Sequence, residues 1–354
     1  MKINFILPHY GLKPSGGFKI VYQYANYLSK NGHNVNIIHV SSFNNGIKRK
    51  LKFILESYKL RTFEPWFNLD KKINIIYLEN LEQEKIPDAD AIIFTAWQTA
   101  YFGKDFSESK GVKFYLIQSY EIWNGPKELV NETLKYKMFK MVISKQLVDI
   151  TKNLGVYDVI YIPNFVDLSM FKVIKAIDDR KKTISIMYSP VENKGFNYGF
   201  SVIKDILSYR DDFDIVVFGK YSRPKELDEN IIYYENPKQN VLVEKIYNGS
   251  TIFICTSLHE GWGLPVMEAM ACGCAVVSFD NGGINNFAIN KKNSLIVPVK
   301  DTNSLKKSII KLMDDDFERI RLANNAVEDV KQFDQNNSMR LFESIIANNV
   351  KEKK

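Results

Sequence analysis

The sequence predicts an α/β protein built from two doubly wound domains. Strand-like apolar runs alternate with amphipathic helical patterns, and this alternation breaks off mid-chain and then restarts. At 354 residues and 45% hydrophobic, the chain is also longer than one typical core accommodates. Near-continuous apolar strands between helices indicate parallel sheets covered on both faces. In the first half, Lys2–Leu7, Asn34–Val40, Ile73–Leu78, Ala91–Thr95, Lys113–Gln118, Met141–Ile143 and Val159–Ile162 read as strands. Helical patterns lie between them, at Phe18–Asn31 and Lys127–Lys140. The second series reads Thr183–Tyr188, Asp214–Phe218, Ile231–Tyr233, Ile252–Cys255, Ala275–Ser278 and Leu295–Val297. Pro163 to Arg180 has no clear period and reads as the hinge. Ligands of such sheets bind at the carboxyl ends of the strands, so a cleft between the two domains is the expected site.

The most informative stretch is Glu260-Gly-Trp-Gly-Leu-Pro-Val-Met-Glu268, continuing as AMACGCAVVSFDNGG. Pro265 suits the first turn of a helix running to Ala271. The free N–H groups at that helix start form an anion site, fed by the glycine loop. Glu260 before the loop and Glu268 one turn into the helix flank it. A carboxylate beside a phosphate is repelled by it, so each is expected to take neutral hydroxyls. Amides for a diphosphate with sugar-hydroxyl acceptors on either side describe a nucleotide-sugar pocket. The rival reading is an ordinary solvated helix start.

These residues resemble the signature of retaining glycosyltransferases of the GT-B fold, glycosyltransferase family 4. The resemblance implies that Glu268 holds the nucleotide ribose and that Glu260 lies by the donor sugar. The amides of Gly263, Leu264, Pro265 and Val266 would face the diphosphate. His9-Tyr-Gly-Leu-Lys-Pro-Ser-Gly-Gly17 is similar to the family's N-terminal glycine loop, with Gly16 and Gly17 meeting the diphosphate before a helix start at Phe18. Asn193-Lys-Gly195 resembles the element whose lysine, here Lys194, neutralises the leaving diphosphate; an Arg usual a few residues earlier is absent from Tyr188-Ser-Pro-Val-Glu192. Lys220, Arg223 or Lys13 would have to substitute. Asn281-Gly-Gly283 resembles the family's later glycine loop, with Asn286 where Glu is common. Ser144 is expected as an N-cap, and Asn164 and Asp167 as turn-formers. The resemblance implies an acceptor-side domain over residues 1–165 and a donor-binding domain over 166–335. A C-terminal helix and tail, 336–354, would return to the first domain.

Leu116-Ile-Gln-Ser-Tyr-Glu-Ile-Trp123 resembles some rhamnosyltransferase-like members. There Glu121 either binds acceptor hydroxyls and assists proton transfer or merely caps its neighbours. His9 and His259 border the expected cleft, His33 reads as a helix-end residue and His39 as strand packing. Cys255, Cys272 and Cys274 read as reduced, buried thiols of a cytoplasmic protein. MKINFILPHY is too short in its apolar run for a signal peptide, and no apolar run is long enough to span a membrane. A net charge of +7 fits anionic ligands and does not by itself argue for nucleic acid. Asp88-Ala-Asp90 and Asp212-Phe-Asp214 precede strands rather than following them, so no catalytic metal and no cofactor is expected. Ile47, Leu51, Ile54, Leu55 and Tyr58 share one helical face among Lys48, Arg49, Lys50, Lys52, Lys59 and Arg61, with Trp66 and Phe67 beyond. This reads either as a helix lying on an anionic membrane that carries a lipid-linked acceptor, or as a surface helix. The reading is a metal-independent retaining glycosyltransferase with a nucleotide-sugar donor and a glycan or lipid-linked acceptor. A nucleotide-sugar epimerase and a non-catalytic binding subunit are the rivals.

Overall fold

The computed structural model describes residues 1–8, 14–43 and 66–352. His9, Lys13 and the basic stretch from Lys48 to Arg61 lie outside them. The chain divides into unit 1, Met1–Asn164 with Asn336–Lys354, and unit 2, Phe165–Gln335.

Unit 1 holds a seven-stranded parallel sheet formed by β1 (Lys2–Pro8), β2 (Asn34–Ser42), β3 (Asn74–Asn80), β4 (Ala91–Phe94), β5 (Val112–Ile117), β6 (Phe139–Val142) and β7 (Val159–Tyr161). The order is β3-β2-β1-β4-β5-β6-β7, so the winding reverses between β1 and β4. Its helices are α1 (Gly16–Lys30), α2 (Trp97–Gly103), α3 (Lys127–Leu134) and α4 (Lys145–Asn153). Helix α1 begins at Gly16, two residues before the expected start, because the amide of Lys19 bonds Ser15 O at 2.9 Å. Both glycines therefore lie in the first turn, where N–H groups have no partner within the helix. Helix α3 stops at Leu134 instead of running to Lys140. Its amphipathic pattern continues into a stretch the sheet claims: Phe139 pairs with Phe114, and Lys140 is buried with Nζ 3.1 Å from Asp158. Ser144 caps α4, accepting the amide of Leu147 at 3.3 Å.

Unit 2 repeats the plan with six parallel strands, β8 (Thr183–Met187), β9 (Asp214–Gly219), β10 (Ile232–Glu235), β11 (Ile252–Cys255), β12 (Ala275–Phe279) and β13 (Leu295–Val297). The order β10-β9-β8-β11-β12-β13 puts the reversal between β8 and β11, where Ile252 lies beside Ile184. Its helices are α5 (Phe196–Leu207), α6 (Leu264–Ala271), α7 (Thr302–Asp314) and α8 (Asp316–Val330), with a π-helix at Leu242–Tyr247. The strands of both sheets fall within two residues of their predicted ends, since doubly covered parallel strands are apolar throughout.

Helix α9 (Gln335–Glu352) packs on unit 1. Phe342 stacks on Tyr24 at 4.0 Å and on Phe5 at 6.1 Å between ring centroids. Glu343 accepts from Asn31 and pairs with His33 at 2.7 Å, so His33 ties the end of α1 to α9. His39 is buried among Phe18, Tyr22 and Tyr77. Trp66 and Phe67, the aromatics beyond the basic stretch, pack on Tyr22 at 5.5 and 5.4 Å.

The expected hinge is not a free linker. Phe165, Val166 and Phe171 are buried, and Val166 bridges to Asp334. Asp167 forms the expected turn, accepting the amide of Ser169 at 3.0 Å. Arg180, only 5% exposed, ends the segment as a hub. Its guanidinium donates to the carbonyls of Tyr247, Ser250, Cys272 and Gly273, to that of Lys175, and to Asn248 Oδ1. Gly273, at φ +82°, closes α6 with paired bonds from Gly273 to Met270 O and from Cys274 to Ala269 O. Arg180 thus sits on the negative end of the helix carrying Glu268. Cys255, Cys272 and Cys274 are free, and burial pushes each thiol up. Arg180→Met should strand these carbonyls and cost about 3 kcal/mol or more, since charged hydrogen bonds are worth about 1.5–3 kcal/mol each. Urea unfolding measures this, and Arg180→Lys should recover only part of the loss.

Candidate functional site

In unit 2 the segments after β8, β11 and β12 meet at the carboxyl end of the sheet, beside the winding reversal. The middle one, Thr256 to Gly263, is held from both sides. On the β8 side the amide of Leu258 donates to Asn193 O at 2.8 Å, and Asn193 Nδ2 donates to His259 O at 2.9 Å. On the β12 side the amide of Glu260 donates to Asn281 O at 3.0 Å. Two glycines permit this approach. Gly195, at φ +61°, lies against Thr256 O with no room for a Cβ. A Cβ on Gly283 would stand 2.8 Å from both Glu260 O and Trp262 N. Asn281 Oδ1 also accepts the amide of Ile284, and Asn286 turns inward to Gly283 O at 2.7 Å.

This frame brings two of the predicted residues into contact. Lys194 ends a short turn after β8, and its Nζ lies 2.7 Å from Glu260 Oε1. Glu268 is on α6, 7% exposed, and Tyr247 donates its hydroxyl to Oε2 at 3.2 Å. Tyr247 comes from the π-helix, a form that often marks functional sites. Burial and the Glu268 carboxylate push the Tyr247 phenol well above its ordinary value, so it stays a donor.

Helix α6 is preceded by Gly263 as its N-cap, whose φ of +97° suits glycine. Of the amides expected to face an anion, Pro265 has none and that of Val266 is taken by Gly263 O at 3.0 Å. Of the four expected, those of Gly263 and Leu264 remain for an incoming anion. Trp262 is 3% exposed, packed between Phe287 and Phe333. Arg223, a candidate second cation, is committed to its own loop through Ile231 O, Leu227 O and Asp228 O.

In unit 1, Gly17 faces the Gln118 amide, which would lie 3.5 Å from a Cβ there. Glu121 accepts the backbone N–H of Trp97 at 2.8 Å, so it caps α2 and not Tyr120 or Trp123. Burial pushes its carboxyl up from 4.5 to about 7, against the pull of the Trp97 N–H. The aspartates of both Asp-x-Asp pairs serve cations or amides: Asp88 pairs with Lys110, Asp90 accepts Lys2 N, Asp212 pairs with Arg210 and Asp214 with Lys181. Among the described residues no three His, Cys, Asp or Glu side chains converge as a metal site.

Tyr247, Asn193 as a brace and Arg180 were missed from sequence. Their partners lie 21, 66 and up to 93 residues away, which no local spacing reveals. The one signal was that Asn193 directly precedes Lys194. Gly195→Ala should cost roughly 1–2 kcal/mol from the left-handed backbone alone, and more from displacing Thr256. Gly155→Ala is the control in thermal unfolding, since Gly155 has φ +76° but nothing within 4 Å of a Cβ; equal losses would deny the close approach any role. Glu121 should make stability fall as pH rises from about 4.5 to about 7, because its raised folded value favours the protonated form. Urea midpoints across that window should flatten in Glu121→Gln.

Residues 170–329 match the family model for glycosyl transferases group 1. A Campylobacter jejuni N,N'-diacetylbacillosaminyl-diphospho-undecaprenol alpha-1,3-N-acetylgalactosaminyltransferase is 26% identical over 62% of this chain and 60% of its own length. A D-inositol 3-phosphate glycosyltransferase of Corynebacterium glutamicum is 29% identical over 30% of this chain and 25% of its own. The matched stretches therefore span less than two thirds of these relatives. Among solved structures, sucrose-phosphate synthase from Thermosynechococcus elongatus has a TM-score of 0.77 at 16% identity, covering 98% of this chain and 99% of that one. HepE of Anabaena, solved with UDP and glucose, has a TM-score of 0.74 at 14% identity over 98% and 100%. These likenesses give the fold class as GT-B, with two Rossmann-like α/β domains. The family match itself covers residues 170–329, a little under half of the chain, and falls within unit 2.

Proposed function

We propose that the chain is a retaining, metal-independent glycosyltransferase that moves a sugar from a nucleotide-sugar to a glycan or lipid-linked glycan acceptor. Its setting is bacterial surface polysaccharide or glycoconjugate synthesis, on the cytoplasmic side of the membrane. The observation that carries the reading is the Lys194–Glu260 contact beside α6, with Glu268 held by Tyr247 on that helix. A nucleoside diphosphate sugar set there meets a cation for its diphosphate, a carboxylate for sugar hydroxyls and a buried carboxylate for the ribose diol. The amide of Leu264 adds a donor toward the diphosphate. The UDP and glucose bound by HepE, and the lipid-linked sugar in the name of the Campylobacter relative, are in keeping with such a donor and acceptor. No described helix is long and apolar enough to cross a membrane.

The favoured reaction is at the front face. The bond from the sugar's anomeric carbon to the diphosphate breaks, and one to the acceptor oxygen forms on the same side. The acceptor's proton passes to the departing phosphate oxygen, so no protein nucleophile is required. The protein then acts by orientation and by stabilising charge on the leaving group. The absent Arg, with Arg223 committed to its own loop, favours one rival, a binding subunit without turnover. Hydrolysis of a nucleotide-sugar panel by the purified chain separates the two.

Glu268→Ala should weaken nucleoside diphosphate binding by about 1.5–3 kcal/mol, the worth of a charge-assisted hydrogen bond. Tyr247→Phe should weaken it less, because the carboxylate remains. Calorimetric titration measures both, and wild-type affinity in Glu268→Ala would remove the ribose assignment. Lys194→Ala should lower turnover on the order of a hundredfold, and more than it weakens donor binding, because diphosphate charge grows in the transition state. Equal losses would make Lys194 a ground-state contact only.

A further inference from the structure

The turn after β5 presents an indole to solvent from a firmly held frame. Trp123 is 71% exposed and Ile122 41%. Both ends of the turn are fixed to α2. Upstream, Glu121 accepts the Trp97 backbone N–H at 2.8 Å. Downstream, Asn124 O accepts the Trp97 indole N–H at 3.1 Å, and Gly125 lies so close to that ring that no Cβ fits. Asn124 N–H closes the turn on Glu121 O at 2.9 Å, and Tyr120 donates its hydroxyl to Asn131 on α3 at 2.7 Å. These contacts restrain the backbone on both sides of Trp123 without burying it. A loop ordered in advance loses little freedom when it binds.

We propose that Trp123 is the platform on which a sugar ring of the acceptor stacks, an inference that rests on the transferase reading above. One face of a pyranose is a set of C–H groups, which complements the negative face of an indole. The hydroxyls at the rim of the ring then meet Asn124 and the partly exposed Glu121. The turn follows β5 at the carboxyl end of the sheet, where open α/β sheets take their ligands. Its charge disfavours an anionic bilayer: between Gln118 and Asn131 the acidic and basic side chains are Glu121, Lys127 and Glu128. A tryptophan held in place and left uncovered has the character of a binding hot spot.

The test uses the full chain, as wild type, Trp123→Ala and Trp123→Phe, with methyl α-glycosides of glucose, galactose, N-acetylglucosamine and N-acetylgalactosamine as probes. Saturation-transfer NMR reads sugar binding, and titration with uridine, guanosine and thymidine diphosphates runs in parallel. Wild type should bind at least one glycoside. Trp123→Ala should lose on the order of tenfold in affinity, and Trp123→Phe should recover most of it. Glycoside binding that is equal in Trp123→Ala, or absent in wild type, overturns the proposal; nucleotide binding in the same samples leaves the transferase reading standing. A wild type that binds no diphosphate sinks that reading and this one together. Trp123→Ala that keeps glycoside binding but stops sedimenting with phosphatidylcholine–phosphatidylglycerol vesicles would make the turn a membrane contact and overturn the proposal as well.

Discussion

The site in unit 2 depends on how closely three chain segments can approach one another. The segment from Thr256 to Glu260 is bonded to Asn193 on one side and Asn281 on the other. Those bonds form only because Gly195 and Gly283 bring backbone against backbone where a side chain would not fit. With Glu260 fixed through its amide, its carboxylate falls within reach of Lys194. The ion pair itself adds little to stability, since Lys194 is a third exposed and such pairs contribute about 0–1 kcal/mol. Its significance is positional, because it records how the backbone has placed a cation and a carboxylate together.

The second carboxylate is secured by a different route. Helix α6 is anchored at its carbonyl end by Arg180 and by the left-handed Gly273. Its other end is capped by Gly263, where an added Cβ would stand 3.0 Å from Ile284. Tyr247, held by the π-helix ahead of β11, reaches Glu268 from the side. Glu268 can therefore remain almost fully buried yet hydrogen-bonded, as a buried polar group must be. The same Arg180 gathers the carbonyls of Tyr247 and Ser250, so one guanidinium orders both elements that carry this contact.

Much of this was legible in the sequence. Parallel strands covered on both faces are apolar throughout, so β8, β9, β11 and β12 stood out as runs. Glu260, Glu268 and Gly263 stood out because their pattern is local, a loop leading into a helix after a strand, whereas Lys194 was marked only by a family resemblance. The helix expected up to Lys140 failed because an amphipathic period does not reveal that a strand will bury its lysine on an aspartate 18 residues later. Val266 was expected to offer its amide, but helical spacing does not show that the first turn tightens onto Gly263 O. Glu121 illustrates the limit most clearly. Its carboxylate was visible, yet its partner is a backbone N–H 24 residues earlier. Nothing in its neighbours Tyr120 and Ile122 points there.

In the proposed function, the segments after β8 and β11 form the nucleoside diphosphate pocket. Amide hydrogen exchange, followed with and without saturating uridine, guanosine or thymidine diphosphate, tests it most directly. A bound diphosphate should slow exchange in peptides covering Glu192 to Phe196 and Gly261 to Met267, for at least one of the three nucleotides. Protection confined to other parts of unit 2, with these two segments unchanged, would contradict the account.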